Sequence, residues 1–144
     1  MARLQLALNV ADLDEAVAFY SAYFDTAPAK VRPGYANFAI ESPPLKLVLI
    51  EGAGAPGSIN HLGVEVTTSE HVAAATQRFR DIGWDVDVEE STSCCYAVQD
   101  KVWVHGPDAT RWETYVVLAE SQVGAECCSE PSPVAVASPS PRRD

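Results

Sequence analysis

The chain has 144 residues, 47% of them hydrophobic, and a formal net charge of −10 from 20 acidic and 10 basic residues. That length and apolar share suit one domain, or two small fused modules, with a real core, and the acidic balance argues against a nucleic-acid partner, which would need a basic face. No apolar run approaches membrane-spanning length and no signal peptide is visible at the N-terminus, so a cytoplasmic protein without a membrane partner is expected.

In chain order, Leu4, Leu6, Leu8 and Val10 alternate with Gln5, Ala7 and Asn9, which predicts a half-buried strand. Asp12 and Glu15 form an acidic capping box, and Leu13, Ala16, Val17, Tyr20 and Phe24 follow at helical spacing. Pro28 ends that element. Tyr35 to Glu41 and Leu45 to Glu51 read as strands joined by a Ser42-Pro43-Pro44 turn, and Gly52 to Ser58 is a linker. The pattern then restarts. His61 to Val66 reads as a strand, Ser69 as the cap of a helix running to about Ile82, and Gly83 as its stop. Asp85 to Glu90, Tyr96 to Val104 and Arg111 to Leu118 read as strands, the last two split by a His105-Gly106-Pro107-Asp108 turn.

Strand–helix–strand–strand–strand thus occurs twice, and Gln5 to Val10 overlays His61 to Val66 at an offset of 56 residues. The predicted class is α+β: two tandem βαβββ modules, residues 3–51 and 59–118, forming a curved mixed sheet around a cavity, with 52–58 as linker. Residues 119–144 are Ser-, Pro-, Ala- and Glu-rich and are expected to form a disordered tail.

Side chains alternate across a strand. If the apolar set of each first strand packs on its helix, Gln5 and His61 face the other way, and Glu113 shares a face with Tyr115 rather than with Trp112. The three plausibly meet in one concavity. Aligning Leu45-Lys46-Leu47-Val48 with Trp112-Glu113-Thr114-Tyr115 makes Lys46 the counterpart of Glu113. A lysine is not a usual ligand, so a metal site here would have three protein ligands and open positions. From spacing alone two readings stay open for each: metal ligand, or hydrogen-bonded Gln, satisfied core His and solvated Glu. His71 and His105 read as solvated.

The four cysteines fall as two adjacent pairs, Cys94-Cys95 and Cys127-Cys128. Neighbours in sequence staple no loop, so free thiols in a reducing cytosol are expected. Paired soft thiolates grip a soft centre such as a heavy metal or trivalent arsenic. The alternative is that they are small buried hydrophobes. In extended strand Cys94 and Cys95 would point to opposite faces. Joint action therefore needs a loop or bulge, for which Ser91-Thr92-Ser93 offers turn chemistry.

The paired modules with Gln5, His61 and Glu113 at these places resemble the vicinal oxygen chelate superfamily over about residues 3 to 118. That group includes glyoxalase I, extradiol dioxygenases, fosfomycin-resistance transferases and bleomycin-resistance proteins. Tyr35 to Ile40, Pro43 to Glu51 and Cys94 to Val104 look more specifically like the organoarsenical carbon–arsenic lyases and the related cadmium-induced proteins. The Gly106 to Glu113 turn departs from the superfamily's usual form at Gly106 and at Ala109-Thr110.

The resemblance implies a metal cavity with Fe(II) on Gln5, His61 and Glu113, a site that Ni, Co or Mn can also occupy. It implies arsenic binding by Cys94 and Cys95. The implied activity is Fe(II)- and O2-dependent cleavage of the C–As bond of trivalent methyl or aromatic arsenicals to arsenite. A mobile loop from about Thr92 to Lys101, with Tyr96 and Lys101 as candidate loop or pocket residues, would carry substrate. Cys127 and Cys128 are candidates for arsenic delivery. The expected partners are the small-molecule arsenical and dioxygen, in a monomer or homodimer. The rivals are a cadmium- or arsenic-sequestering protein and a glyoxalase- or thiol-transferase-type resistance enzyme.

Overall fold

The computed structural model describes residues 2–124. The elements are β1 (Arg3–Val10), α1 (Leu13–Phe24), β2 (Lys30–Arg32), β3 (Tyr35–Ile40), β4 (Leu45–Glu51), β5 (Ile59–Glu65), α2 (Ser69–Asp81), β6 (Asp87–Cys94), β7 (Ala97–His105) and β8 (Arg111–Glu120). They form one curled, mixed, eight-stranded sheet in the order β2-β3-β4-β1-β5-β8-β7-β6. Each module reads outward from the centre in the same order: its first strand, its fourth, its third, its second. The antiparallel β1–β5 pair joins the two modules, and each first strand pairs in parallel with the last strand of its own module.

Local chemistry sets the helix ends. Asp12 accepts from the Glu15 amide at 2.9 Å, and Asp25 closes α1 in the left-handed region at φ 49°. The cap of α2 is Thr68, which accepts from the His71 amide at 3.2 Å, rather than Ser69. Ser69 is already helical, and its hydroxyl instead donates to Asp100 at 2.6 Å. Among the described residues no helix is long and apolar enough to cross a membrane.

The helices cover one face of the sheet. Leu13 of α1 packs with Phe38, Leu47 and Leu49, against which Leu6 and Leu8 lie. Val72, Ala75 and Phe79 of α2 pack with Val102, Val104 and Val116. The opposite, concave face is also buried, but it is polar. Gln5, Asn9, His61, Gln99, Lys101 and Glu113 are each at most 4% exposed.

Strand register corrects one sequence alignment. Ala7 pairs with Val48, Gly63 pairs with Glu113, and Ala7 and Gly63 are themselves 56 apart. The first-module counterpart of Glu113 is therefore Val48, not Lys46, because two apolar-rich strands can be slid by two residues without changing which face is which. The conclusion that no fourth carboxylate stands there is unaltered.

Two segments differ from expectation. β8 runs to Glu120, and Ser121 to Gly124 return along the β6–β7 turn: Cys95 and Tyr96 donate to Gly124 and Val123 (3.0 and 2.8 Å), and Ser121 donates to Tyr96 (3.0 Å). These backbone bonds hold 121–124 where a disordered tail is expected. Where a loop from Thr92 to Lys101 is expected, there is a hairpin whose only loop residues are Cys95 and Tyr96, closed by the Cys94–Ala97 pair.

Candidate active site

Three neighbouring strands place the site. Gln5 of β1 lies opposite Gly63 of β5, which lies opposite Glu113 of β8. Gly63 has no side chain, so Gln5 and Glu113 meet above it. A Cβ at Gly63 would sit 2.9 Å from Glu113 Cγ and 3.4 Å from Gln5 Nε2. His61, two residues back along β5, points into the same space. Gln5 Nε2 is 2.7 Å from Glu113 Oε1 and 3.0 Å from His61 Nε2, and His61 Nε2 is 3.3 Å from Glu113 Oε1. The three side chains of the expected trio are thus brought together, 3%, 2% and 4% exposed.

Each is oriented from behind. The Asn60 amide donates to Asn9 Oδ1 at 3.0 Å, which turns Asn60 Oδ1 towards His61 Nδ1, 2.7 Å away. Asn9 in turn donates to Ser58 Oγ (2.9 Å), and Ser58 to the Ala55 carbonyl (2.5 Å). Every donor in this chain points the same way. His61 Nδ1–H therefore donates to Asn60, and Nε2 keeps its lone pair for the cluster. The Tyr115 hydroxyl donates to Gln5 Oε1 and lies 3.1 Å from Glu65 Oε2. Glu65 is paired with Arg3 at 3.2 Å and Lys46 at 3.4 Å. Burial, with Glu65 and Glu113 adding to it, pushes the Tyr115 phenol well above its usual value.

Lys101 belongs to the strand expected over Tyr96 to Val104. It sits within β7, 2% exposed, with its ammonium 2.8 Å from Glu113 Oε2. Burial works to raise the Glu113 pKa, but the Lys101 ammonium outweighs it and holds the carboxyl well below the usual range. Lys101 takes Oε2 and leaves Oε1 directed at Gln5 and His61.

These donors fit a divalent ion. Metal–ligand bonds of about 2.1 Å at right angles put neighbouring donors about 3 Å apart, close to the 3.3 Å between His61 Nε2 and Glu113 Oε1. Among the described residues there is no group of three His, Cys, Asp or Glu placed to hold a metal; at this cluster the third donor is an amide, whose oxygen is the end able to ligate.

The vicinal cysteines lie on the same face. Cys94 ends β6, 3% exposed, in one packed cluster with Ala7, Tyr35, Val48 and Ile50. Ala7 is the next residue on Gln5's face of β1 and pairs with His61. Cys95 and Tyr96 both have positive φ, 51° and 62°. The required turn is therefore formed by Cys95-Tyr96 themselves, with Thr92 and Ser93 paired in β6 and Ser91 at a bulge. It brings the two sulfurs to 3.5 Å. Cys94 is disulfide-bonded, so the expectation of free thiols fails there. Tyr96 stacks obliquely on Tyr35 at 5.4 Å, and Lys30 Nζ donates to the Tyr96 carbonyl at 3.1 Å. His71 and His105 are exposed and away from the cluster. Cys127 and Cys128 lie outside the described residues.

Sequence reasoning missed Gly63, Asn60, Asn9, Tyr115 and Glu65. A glycine inside a strand marks a close approach of neighbours and was the available signal. A separate cavity of about 700 Å³ opens beside β8, lined by Arg78, Phe79, Trp84, Val104 and Trp112, with Glu113 at its edge. Gln5 and His61 are not among its walls.

The family model of the Glyoxalase/Bleomycin resistance protein/Dioxygenase superfamily matches residues 3–114. The chain is 57% identical over 122 residues to the cadmium-induced protein CadI of Mycobacterium tuberculosis, covering 85% of this chain and 80% of that protein. It is 54% identical over 135 residues to a trivalent organoarsenical cleaving enzyme of Thermomonospora curvata, covering 90% and 89%. Among solved structures, an extradiol ring-cleaving dioxygenase from B. fuscum matches with a TM-score of 0.61 at 16% identity, over 83% of this chain and 34% of that one; this likeness is one of fold.

Two substitutions test the geometry. Gly63→Ala should cost about 1–3 kcal/mol in thermal unfolding and weaken Co(II) binding at least about tenfold, because the added methyl displaces Glu113. Lys101→Met leaves a buried carboxylate without its cation and should cost about 3–5 kcal/mol in metal-free protein. Adding Glu113→Gln to that variant should recover much of the loss. The deficit of the single variant should shrink as the pH is lowered and its Glu113, no longer held down, takes up a proton; a pH series of unfolding curves reads this directly.

Proposed function

The chain belongs to the Glyoxalase/Bleomycin resistance protein/Dioxygenase superfamily, and we propose that within it the protein is an enzyme that cleaves the carbon–arsenic bond of trivalent organoarsenicals. What carries the proposal is one juxtaposition. A sulfur pair 3.5 Å apart sits on the same buried sheet face as a three-donor cluster, in a chain 54% identical to a protein named for this activity.

Gln5, His61 and Glu113 would hold the metal, and an Fe(II) ion there would supply the dioxygen chemistry that breaks the bond. The remaining steps belong to the chain. A trivalent arsenical R–As(OH)2 exchanges two hydroxyls for the reduced sulfurs of Cys94 and Cys95. Two As–S bonds form, two As–O bonds break, and each thiol proton leaves in a water molecule. For sulfur bonds of about 2.3 Å, a 3.5 Å separation corresponds to an S–As–S angle of about 100°. Two-point attachment leaves the organic group as the third substituent and fixes its direction, the kind of positioning worth at best about 7–11 kcal/mol of barrier.

The cluster is too deeply buried for substrate to reach it with the Cys95-Tyr96 turn seated on Tyr35. The turn therefore swings out to load and back to react, which is a gating role. Tyr96 and Lys30 hold it shut. Lys101 keeps Glu113 in one orientation throughout.

The test is turnover of trivalent methylarsenite by reduced, Fe(II)-loaded protein with and without air, arsenite being separated by chromatography. Arsenite is expected only with both iron and dioxygen present. Cys94→Ser and Cys95→Ser should each lose turnover while still binding the metal, and unreduced protein should be inactive until a thiol reductant is added. Tight arsenical binding with no arsenite under any metal would make this a sequestering protein. Turnover surviving in either cysteine variant would remove the dithiolate step.

A further inference from the structure

Gln5 faces the cluster with its NH2 group. One amide hydrogen points at Glu113 Oε1 (2.7 Å) and the other at the His61 Nε2 lone pair (3.0 Å). These hydrogens take the His61 Nε2 lone pair and one lone pair of Glu113 Oε1, so the amide presents hydrogens, not its oxygen, to the space between them. The Gln5 carbonyl is turned away, onto the Tyr115 hydroxyl. An amide nitrogen is not a metal ligand, and the amide must turn over before its oxygen can face an ion.

Turning it over brings Nε2–H against Tyr115. A hydroxyl can both donate and accept. Tyr115 can then accept from Gln5, provided its own proton has somewhere to go. Glu65 Oε2, 3.1 Å away, is that acceptor, fixed by Arg3 and Lys46.

Resting on the metal reading above, we infer that Tyr115, backed by Glu65, is the positioning residue that lets Gln5 present its oxygen to a metal. It accommodates both faces of the amide by turning its hydroxyl from Gln5 to Glu65. Metal-free, Tyr115 O–H donates to Gln5 Oε1. Metal-bound, Gln5 Nε2–H donates to Tyr115, and Tyr115 O–H donates to Glu65. No proton changes owner and no covalent bond breaks. Phenylalanine at 115 keeps the ring but leaves the inverted amide's N–H buried without an acceptor, a costly state. The metal-free form leaves the Gln5 carbonyl without its Tyr115 donor, but a buried C=O tolerates a missing partner better than a buried N–H does, so the larger penalty falls on the loaded form.

The experiment is a Co(II) titration followed by visible absorption, on wild type, Tyr115→Phe, Gln5→Ala and the double variant. Tyr115→Phe should weaken Co(II) about 10–100-fold in the wild-type background and by no more than about threefold in the Gln5→Ala background, since the effect travels through Gln5. The same loss in both backgrounds, or none in the first, overturns the inference. A second readout does not depend on affinity. Saturating Zn(II) should shift the Gln5 side-chain amide signals in the wild-type NMR spectrum, identified by their absence from Gln5→Ala, and unmoved signals overturn it equally. Wild-type protein that binds neither ion overturns the metal reading itself, and this inference with it.

Discussion

The Glu113 carboxylate is the constraint around which the rest is arranged. A buried ion costs several kcal/mol unless it is paired and hydrogen-bonded, and Glu113 is 4% exposed. Lys101 takes one oxygen, the Gln5 amide takes the other, and the missing side chain of Gly63 makes the room. This explains an inversion in the sheet. The alternating leucines of β1 are partly exposed beneath α1, while Gln5, Ala7 and Asn9 between them are buried. The polar face is the inner one because it has a charge to surround.

Duplication puts the site at the seam. β1 and β5 are the two central strands, so Gln5 and His61, equivalent in their modules, necessarily come close. The symmetry then breaks twice. Glu113 has Val48 as its counterpart, so there is one carboxylate and not two. The thiol turn exists only in the second module, and the β2–β3 edge of the first receives it through Lys30, Tyr35 and the Pro33 carbonyl, which accepts from Tyr96 at 3.4 Å. One module carries the sulfur pair and the other supplies its seat.

Much of this was legible. Alternation alone placed Gln5, His61 and Glu113 on faces away from the helices, because a period of two is rigid once one face is apolar. Four things were not. β2 is three residues long, too short to show a period. Lys46 was set against Glu113 because apolar strands align equally well two residues apart, and only the pairing with β1 fixes the register. The partners behind the cluster, Asn60, Tyr115 and Glu65, came from positions whose roles depend on contacts between strands distant in sequence, which no local pattern encodes. Lys101 stands both in the strand read over Tyr96 to Val104 and in the loop the resemblance implies, and the hairpin lacks the glycine or asparagine that usually marks so tight a turn.

That missing glycine bears on the chemistry. A two-residue hairpin loop with both φ values positive costs ordinary side chains about 1–2 kcal/mol each, and Cys95 and Tyr96 bear it together. An unstrained alternative exists for most hairpins: lengthen the loop or place Asn-Gly at its tip. Here either change would remove what the turn provides. Continuing the strand would send Cys95 to the opposite face from Cys94, and a glycine at 95 would delete the sulfur. The left-handed backbone at Cys95 breaks the alternation at the point where two adjacent sulfurs come within 3.5 Å of each other. Backbone strain that persists where it serves a site is held by its surroundings. The holders are on hand: the Val123 and Gly124 carbonyls on the turn's two amides, Lys30 on its carbonyl, and Tyr35 against its ring. The contacts that seat the turn against Lys30 and Tyr35 are the same ones that keep its two sulfurs 3.5 Å apart, so releasing the turn would relieve the strain and part the sulfurs together.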